Sequence, residues 1–330
     1  MGRLGVMGSS ARLSLLACGP LVTLQDAGRP GYLSQGLARG GAADRRALEE
    51  AAVLLGQGGT AIETPGSPLT LRAEADTGIA LTGAAMRADL AGRAVAWHAA
   101  HPVAAGEVLT LRPLGAGVYS YVTPVGGVQS PEVMGARAAH LIAGIGRALA
   151  PGDALPIHAG RAPPRRLLPE PDRWGGGTLK IVSTPQTRLF PAAERARFEA
   201  ATFTRSPRGN RQGVRLDGPS FATEGQLNLL SDFILPGDVQ MTGDGVPYIL
   251  GPECQTTGGY PRIGHVIEAD LPRALQAPPG APISFRFVTV EQARAARPAR
   301  PVSAPLVQDP RDVDLRSKQL IGGVMSAKEE

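Results

Sequence analysis

The sequence predicts a mainly β protein built as two β-rich lobes with a few short helices. Short apolar segments recur along the chain, and 43 glycines and 30 prolines among 330 residues interrupt any long helix. A stretch rich in proline and arginine divides these segments into two sets. We therefore expect an N-terminal lobe over residues 1–160, a linker over 161–177, a second lobe over 178–296 and a mobile tail over 297–330.

The first lobe is predicted to open with strands over residues 12–17 and 21–24 and to contain one clear helix. Asp44 suits the N-cap position, and apolar residues at helical spacing follow it over Arg45–Leu55. Seven short strands then follow between residues 61 and 122, separated by glycine, proline or polar turns. Strands at this spacing indicate a closed or nearly closed barrel.

The second lobe is predicted to be another β-rich unit, with short helices over residues 193–201 and 291–296. Its clearest element is a hairpin, because Gly243-Asp244-Gly245 lie between two apolar segments and tolerate the positive φ of a tight turn. Residues 160–177, which come before the second lobe, contain four prolines and a run of glycines. We expect little of that linker to be packed.

The hairpin and the loop after it carry a dense set of polar groups. Successive N–H groups of a Gly-Gly pair can converge on an anion or a carbonyl oxygen. The alternative is an ordinary β-turn rich in turn-forming residues. The candidate binding residues of this region are Gln240, Gln255, Thr257, Gly258, Gly259 and Tyr260.

A second polar turn, over residues 25–32, contains Gln25, Asp26 and Arg29. Arg29 can present its planar guanidinium to a substrate carboxylate, or it can form an internal salt bridge with Asp26 that holds the loop. Both alternatives stay open at the level of sequence.

Composition argues against several classes of function. The net charge is +5, but 31 of the 34 basic residues are scattered arginines and aromatic residues are few, which disfavours nucleic-acid binding. No segment approaches the roughly 20 apolar residues of a membrane span. Cys18 and Cys254 are too few for a disulfide framework, and the His98/His101 pair lacks acidic partners. We therefore expect a cytoplasmic protein without a metal site.

Six ordered motifs resemble a known family: LQDAGRPGY, TPVGGVQSPEVMG, GIGRALAPGD, NRQGVRLDGP, SDFILPGDVQMTGDGVP and QTTGGYPRIGHVIEADL. They are similar to the biotin-dependent carboxyltransferase-like family, also called allophanate hydrolase subunit 2 or KipA-like. This family includes the C-type subunit of 5-oxoprolinase and the urea carboxylase carboxyltransferase domain. The resemblance implies two cyclophilin-like β-barrel lobes and a KipI-like partner (allophanate hydrolase subunit 1). It implies a protein like the A-type subunit of 5-oxoprolinase as a further partner.

The resemblance also implies ATP-supported chemistry on the carbonyl of a small amide or ureido substrate. The leading hypothesis is a 5-oxoprolinase-like opening of a lactam to glutamate. The alternatives are a KipA-type regulatory binding protein without catalysis and a carboxyltransferase half-site that uses biotin on another chain. The sequence has no GxxxxGK[ST] loop and no biotin-attachment motif around its three lysines. We therefore expect ATP to be held with or through partner subunits.

Carried onto this chain, the resemblance assigns Asp44 and Asp244 as catalytic acid/base candidates. Arg29 and Arg211 would neutralise a substrate carboxylate, and the N–H groups of Gly258-Gly259 would stabilise an oxyanion. Structural alternatives remain, since Asp44 suits a helix N-cap and Asp244 a turn. We expect the Arg29 turn and the Gly258-Gly259 corner to face one shared cleft. The other matching substrate-binding candidates are Gln25, Asp26, Gln240, Gln255, Thr257 and Tyr260.

Several small polar groups of the family pattern are missing from this chain. The serine of the PxSGAMD motif is Gly40, and the hydroxyl-rich GSRST motif is Gly135-Ala136-Arg137-Ala138-Ala139. If those groups bound substrate, each lost hydrogen bond would cost on the order of 1 kcal/mol. We therefore expect a changed substrate specificity, or a chain that needs its partner for any activity.

Overall fold

Strands dominate the computed structural model, which describes residues 11–160, 165–221, 229–297 and 300–305. The predicted mainly β class is confirmed, and the helices found in these residues are short. They are α1 (Arg45–Leu55), α2 (Ala192–Ala200), α3 (Leu271–Gln276) and α4 (Val290–Ala295). The three predicted helices match α1, α2 and α4 to within a residue at each end, and α3 was not predicted.

The first lobe consists of two sheets rather than one closed barrel. The six-stranded sheet contains, in spatial order, β11 (Ala154–Pro156), β1 (Arg12–Cys18), β4 (Leu69–Ala73), β9 (Val108–Pro113), β6 (Met86–Leu90) and β7 (Arg93–Val95). The seven-stranded sheet contains β2 (Thr23–Gln25), β3 (Ala61–Pro65), β10 (Tyr119–Pro124), β5 (Thr77–Gly83), β8 (Ala99–Val103), β12 (Arg166–Leu167) and β22 (Ala304–Pro305). Alternate side chains of both sheets, among them Leu13, Leu71, Ile62 and Leu81, share one apolar core.

Helix α1 covers the outer face of the seven-stranded sheet. The strand β5 beneath it is buried along its whole length, because α1 lies on one side and the lobe core on the other. The Asp44 carboxylate accepts a hydrogen bond from Ala47 N at 3.2 Å, and Gly56 ends the helix at φ 77°. The predicted helix and its N-cap are therefore confirmed.

The second lobe is a closed seven-stranded barrel with an aromatic core. Its strands, in spatial order, are β13 (Gly177–Val182), β20 (Arg262–Val266), β17 (Asp238–Met241), β18 (Pro247–Leu250), β15 (Gly213–Asp217), β14 (Phe203–Gly209) and β21 (Pro282–Phe287). Phe198 of α2 packs on Phe285 with ring centroids 4.7 Å apart. The predicted hairpin is confirmed, since β17 and β18 pair up to Met241 and Pro247 and the turn places Gly245 at φ 78°.

A two-stranded ribbon lies beside the barrel. Its strands are β16 (Asp232–Phe233) and β19 (Thr257–Gly258), which pair Asp232 with Gly258. The polar loop that follows the hairpin is therefore partly held as strand.

The stretch predicted as an unpacked linker is in fact packed, so that expectation is wrong. Strand β12 pairs with β8 on one side and with β22 on the other. Leu168 is buried in a hydrophobic cluster with residues of the first lobe. Arg173 is buried and forms ion pairs with two acidic side chains of the first lobe. Residues 161–164 lie outside the described part of the chain. Residues 298–299 and 306–330 of the predicted mobile tail also lie outside it. Residues 304–305 of that tail are described and form β22.

Candidate functional site between the lobes

Two adjoining cavities lie where α1 meets the second lobe. We call the first, of about 670 Å³, the glycine-walled cavity, and the second, of about 780 Å³, the inter-lobe cavity. Arg39, Arg45, Glu49 and Glu268 line both, so the two cavities meet at these four side chains. A concave site between two lobes is the usual place for a small-molecule ligand.

Five glycines are among the residues that line the glycine-walled cavity. Gly28 has φ 77°, and a Cβ placed on it would lie 2.5 Å from the Arg39 carbonyl oxygen. A Cβ on Gly126 would lie 2.5 Å from Cδ2 of His158, a residue that lines the same cavity. The absence of a side chain at these positions lets the protein pack closely there, Gly28 against residues 39–40 and Gly126 against His158. The polar side chains Asp26, Gln129 and Arg137 complete the wall.

Asp26 lines this cavity, but hydrogen bonds within its own lobe already use its carboxylate. It accepts from Gly28 N at 2.8 Å, from Arg137 N at 2.6 Å and from Ala138 N at 3.2 Å. The side chain therefore ties the turn of residues 25–32 to the loop of residues 133–138. Gln25, the last residue of β2, is buried and donates to Thr23 Oγ1 and to the Ala139 carbonyl oxygen.

Arg29 lies under the same loop and not in either cavity. Its side chain is 1% exposed and donates to the carbonyl oxygens of Val133, Ala136 and Ala138 at 3.3, 3.5 and 2.6 Å. Its Nη1 has no hydrogen-bond partner. The sequence left open a salt bridge between Asp26 and Arg29. In the structure each of the two side chains instead forms hydrogen bonds with the backbone of residues 133–138.

A buried ion network ties α1 to the segment between the lobes. Arg173 donates through Nε to Asp44 at 2.7 Å and through Nη1 and Nη2 to both Glu50 oxygens at 2.7 and 2.9 Å. Gln276 of α3 donates to the same Asp44 oxygen at 2.9 Å. Burial alone would lower the pKa of Arg173, but the two carboxylates raise it above its usual range. Burial also raises the pKa of Glu50, and Arg173 opposes that rise.

A second network joins the lobes through Arg211. Its guanidinium contacts Glu63 of the first lobe, Glu253 at 2.5 Å and the Gly41 carbonyl oxygen at 2.5 Å. Tyr121 donates its hydroxyl to Glu63 at 2.7 Å, and burial raises the pKa of this tyrosine well above its usual range. Three acceptors therefore engage Arg211, and its charge is neutralised within the protein.

The corner of the second lobe that the sequence singled out lies away from both cavities. Gln255, Thr257 and Tyr260 are exposed, and Gln240 Nε2 lies 3.4 Å from the Tyr260 carbonyl oxygen. A Cβ on Gly258 would lie 3.0 Å from Gln240 Nε2, and one on Gly259 would lie 3.0 Å from the Leu229 carbonyl oxygen. Neither Arg29 nor Gly258-Gly259 is among the residues that line the two cavities.

Asp244 lies at the tip of the hairpin, and its position is that of a turn residue. Its carboxylate accepts a hydrogen bond from Thr242 Oγ1, and this bond holds the pKa of the carboxyl below its usual value. The structure thus separates the predicted residues into the two buried networks, the Arg29 loop and the exposed corner of the second lobe.

Arg39 and Arg45, which line both cavities, were not predicted from the sequence as site residues. Arg45 is half-buried and makes no hydrogen bond or ion pair with any described residue. Burial lowers its pKa, the charge of Arg39 lowers it further, and Glu268 opposes both effects. A local signal was available, since Arg45-Arg46 occupy the first turn of the predicted helix, where acidic residues are favoured.

Neither a metal-binding cluster nor a membrane-spanning helix occurs in the described part of the chain. It holds no group of three or more histidine, cysteine, aspartate or glutamate side chains suited to a metal ion. None of its helices is both long enough and apolar enough to cross a membrane.

Comparison with known proteins identifies relatives over most of the chain. The carboxyltransferase domain, subdomain A and B, matches residues 35–287. The C-type subunit of 5-oxoprolinase from Escherichia coli is 36% identical over 291 residues, which are 86% of this chain and 94% of that protein. The corresponding subunit of Haemophilus influenzae 5-oxoprolinase is 31% identical, and the match covers 83% of this chain and 91% of that one.

Larger enzymes and solved structures match as well. The urea amidolyase of Lachancea kluyveri is 26% identical over 88% of this chain, which spans 18% of that protein. The crystal structure of TTHA0988 superposes with a TM-score of 0.77 at 29% identity, over 84% of this chain and 56% of that one. The Kluyveromyces lactis urea carboxylase gives a TM-score of 0.77 at 25% identity, over 86% of this chain and 28% of that one. The chain therefore belongs to the carboxyltransferase-domain family, and the resemblance carried by its six motifs is confirmed.

Proposed function

We propose that this chain is the C-type subunit of an ATP-dependent enzyme that opens a small lactam bearing a carboxylate, and that it works only with a KipI-like partner. The observation that carries the proposal is the 36% identity to the C-type subunit of Escherichia coli 5-oxoprolinase over 94% of that protein. A protein named as a subunit is one component of an assembly, which supports a KipI-like protein and an A-type 5-oxoprolinase subunit as partners. The free thiols of Cys18 and Cys254 support a cytoplasmic location.

The cavities between the lobes support a small, polar substrate. Glycines and polar side chains line the glycine-walled cavity, apolar side chains such as Ile267 and Leu271 line the inter-lobe cavity, and Arg39 and Arg45 lie where the cavities meet. Opening a lactam consumes water, breaks the C–N bond and leaves a second carboxylate and an amine. His158 and Glu268 line this space and are the side chains we assign to the proton transfers.

The sequence-predicted residues take supporting roles in this proposal. Asp44 and Arg211 are saturated by protein partners, so we assign them to holding α1 and the two lobes in place. The exposed side chains Asp244, Gln255 and Tyr260 are open to a partner protein.

The N-terminus of α1, beside the cavities, is not suited to the phosphates of ATP. The helix N-terminus at this place is that of α1, and the Asp44 carboxylate caps it. A phosphate there would meet a carboxylate instead of free N–H groups. We therefore derive no step through ATP in this chain and assign the nucleotide to a partner protein of the complex.

Reconstitution tests the proposal. The chain is co-expressed with a KipI-like protein and an A-type 5-oxoprolinase subunit, and ATP hydrolysis and glutamate release are measured with and without 5-oxoproline. We expect ATP hydrolysis that depends on 5-oxoproline and on all the chains. A stable complex without turnover would overturn the proposal in favour of a regulatory binding protein.

The structural likeness to urea carboxylase favours a carboxyltransferase as the second candidate. In that case biotin would be carried on another chain, because Lys180, the one lysine in the described residues, lies in strand β13. Turnover that requires a carboxybiotin donor, and not 5-oxoproline, would support this second candidate.

A further inference from the structure

We infer that Arg39 and Arg45 form an anion-binding site where the two cavities meet, and that the site takes the carboxylate of a small amide acid. The identity of the ligand rests on the proposed function, but the existence of the anion site does not. Three properties of the place where the cavities meet lead to this inference.

The first property is that the hydrogen-bonding capacity of Arg39 and Arg45 is largely unused. A guanidinium carries five N–H donors. Arg45 makes no hydrogen bond or ion pair with a described residue. Arg39 uses its Nε on the Ala27 carbonyl oxygen at 2.9 Å. By contrast, Arg173 and Arg211 are each bonded to two carboxylates at the same lobe interface.

The second property is the electrostatic position of Arg45. It is the first residue of α1, and the first turn of this helix contains no acidic residue. Burial and the neighbouring charge of Arg39 both lower the pKa of the guanidinium, so the site disfavours the positive charge that it carries. A bound anion would offset both unfavourable effects at once.

The third property is the set of acidic side chains at the junction. Glu49 and Glu268 line both cavities and are exposed, so water screens their charges more than it screens Arg45. Their oxygens can accept N–H groups. Two guanidiniums and two accessible carboxylates therefore suit a ligand that has a carboxylate and a nearby amide N–H, and they suit a polyphosphate less well.

Thermal melting of the purified full-length chain tests the site. The probes are 5-oxoproline, 2-pyrrolidinone, which is the same lactam without the carboxylate, and acetate. We expect 5-oxoproline to raise the Tm of the wild-type chain and 2-pyrrolidinone to have no effect. In Arg45→Gln the apparent affinity for 5-oxoproline should fall at least about tenfold, while the Tm of the unliganded protein stays the same or rises. Arg93→Gln, which removes an arginine charge from an exposed ion pair that lines neither cavity, is the control and should keep the response.

The outcomes separate the anion site from the proposed function. If acetate and other carboxylates raise the Tm through Arg45 but 5-oxoproline does not, the site stands and the assigned substrate is wrong. The inference is overturned if no carboxylate raises the Tm of the wild-type chain. It is also overturned if Arg45→Gln lowers the Tm of the unliganded protein but keeps the full rise in Tm on addition of carboxylates. That result would mean that Arg45 stabilises the fold and does not bind the anion.

Discussion

The arginines at the lobe interface fall into two groups that differ in what surrounds them. Arg173 is buried, Arg211 is 11% exposed, and carboxylates of the protein neutralise both. Arg39 and Arg45 lie beside the cavities and have no carboxylate bonded to them among the described residues. The first group holds the lobes together, and the second is available to a ligand.

The difference teaches that a motif position does not reveal the role of an arginine. Arg211 lies in one of the six family motifs, yet its donors are occupied by Glu63, Glu253 and a backbone carbonyl. Arg45 lies in none of the six motifs, yet it lines both cavities. Only the partners of each side chain distinguish the two roles.

The largest effect is expected from removing Arg173. The variant Arg173→Met leaves Asp44 and Glu50 buried without their counter-charge, which should lower the free energy of unfolding by about 3–5 kcal/mol. Urea unfolding followed by circular dichroism measures the loss. Arg93→Met, which breaks the exposed pair with Glu107, should change the same free energy by at most about 1 kcal/mol. Equal effects of the two variants would contradict the distinction.

Acid should lower the free energy of unfolding through His98. This residue stacks on Trp174, next to Arg173, with ring centroids 5.9 Å apart. Burial, and then the charge of Arg173, lower the pKa of His98 from 6.5 to about 4. Between these values the unfolded chain binds a proton that the folded chain does not bind. The free energy of unfolding should therefore fall as the pH decreases from 6.5 to 4, by about 3 kcal/mol in all.

The control for this prediction is His98→Asn. Asparagine suits the φ of 53° at this position and does not titrate in this range. Urea unfolding at about pH 7 and about pH 4.5 should give a smaller difference in the variant than in the wild-type chain. An unchanged difference would assign the acid sensitivity to other groups.

Exchange of Arg211 for lysine should have an intermediate effect. A lysine keeps the charge but cannot reach Glu63, Glu253 and the Gly41 carbonyl oxygen with one planar group. The loss of charge-assisted hydrogen bonds should cost about 2 kcal/mol in unfolding free energy, measured in urea. No loss would mean that Arg211 is not fixed between the lobes, and its role as a substrate arginine would return.

The smallest effect is expected at Gly40, the position of the missing family serine. Its φ is 62°, so both Gly40→Ala and Gly40→Ser carry strain. A Cβ there would lie 3.9 Å from Arg29 Nη1, a buried donor without a partner. The serine hydroxyl can accept from it, so Gly40→Ser should be more stable than Gly40→Ala by about 1 kcal/mol. Thermal melting of both variants measures the difference, and equal stabilities would exclude the bond.

Local features of the structure could be predicted from sequence and long-range ones could not. The cap at Asp44, helix α1 and the Gly243-Asp244-Gly245 hairpin depend on residues within a few positions of one another. The bond from Arg173 to Asp44 joins residues 129 positions apart, and the bond from Arg211 to Glu63 spans 148 positions. No periodicity in the sequence indicates such partners, so a buried ion network was interpreted as a linker and as substrate-binding residues.

The division of the first lobe into two sheets was hidden for a similar reason. Strand spacing and alternation are the same for a barrel and for two packed sheets, because both bury every second side chain. The pairing of β12 with β8 depends on a segment from beyond the lobe. The arginine pair in the first turn of α1 was the local feature that contradicted the usual helix pattern, and it could have indicated the cavity.

The most direct test of the account is steady-state kinetics of the reconstituted complex with Arg45→Gln and Arg211→Lys side by side. We predict that Arg45→Gln raises the KM for 5-oxoproline at least about tenfold and leaves the Tm of the chain unchanged or higher. Arg211→Lys should lower the Tm and leave the KM within about twofold at a temperature where it is folded. The opposite assignment, with KM sensitive to Arg211 and insensitive to Arg45, would contradict the account.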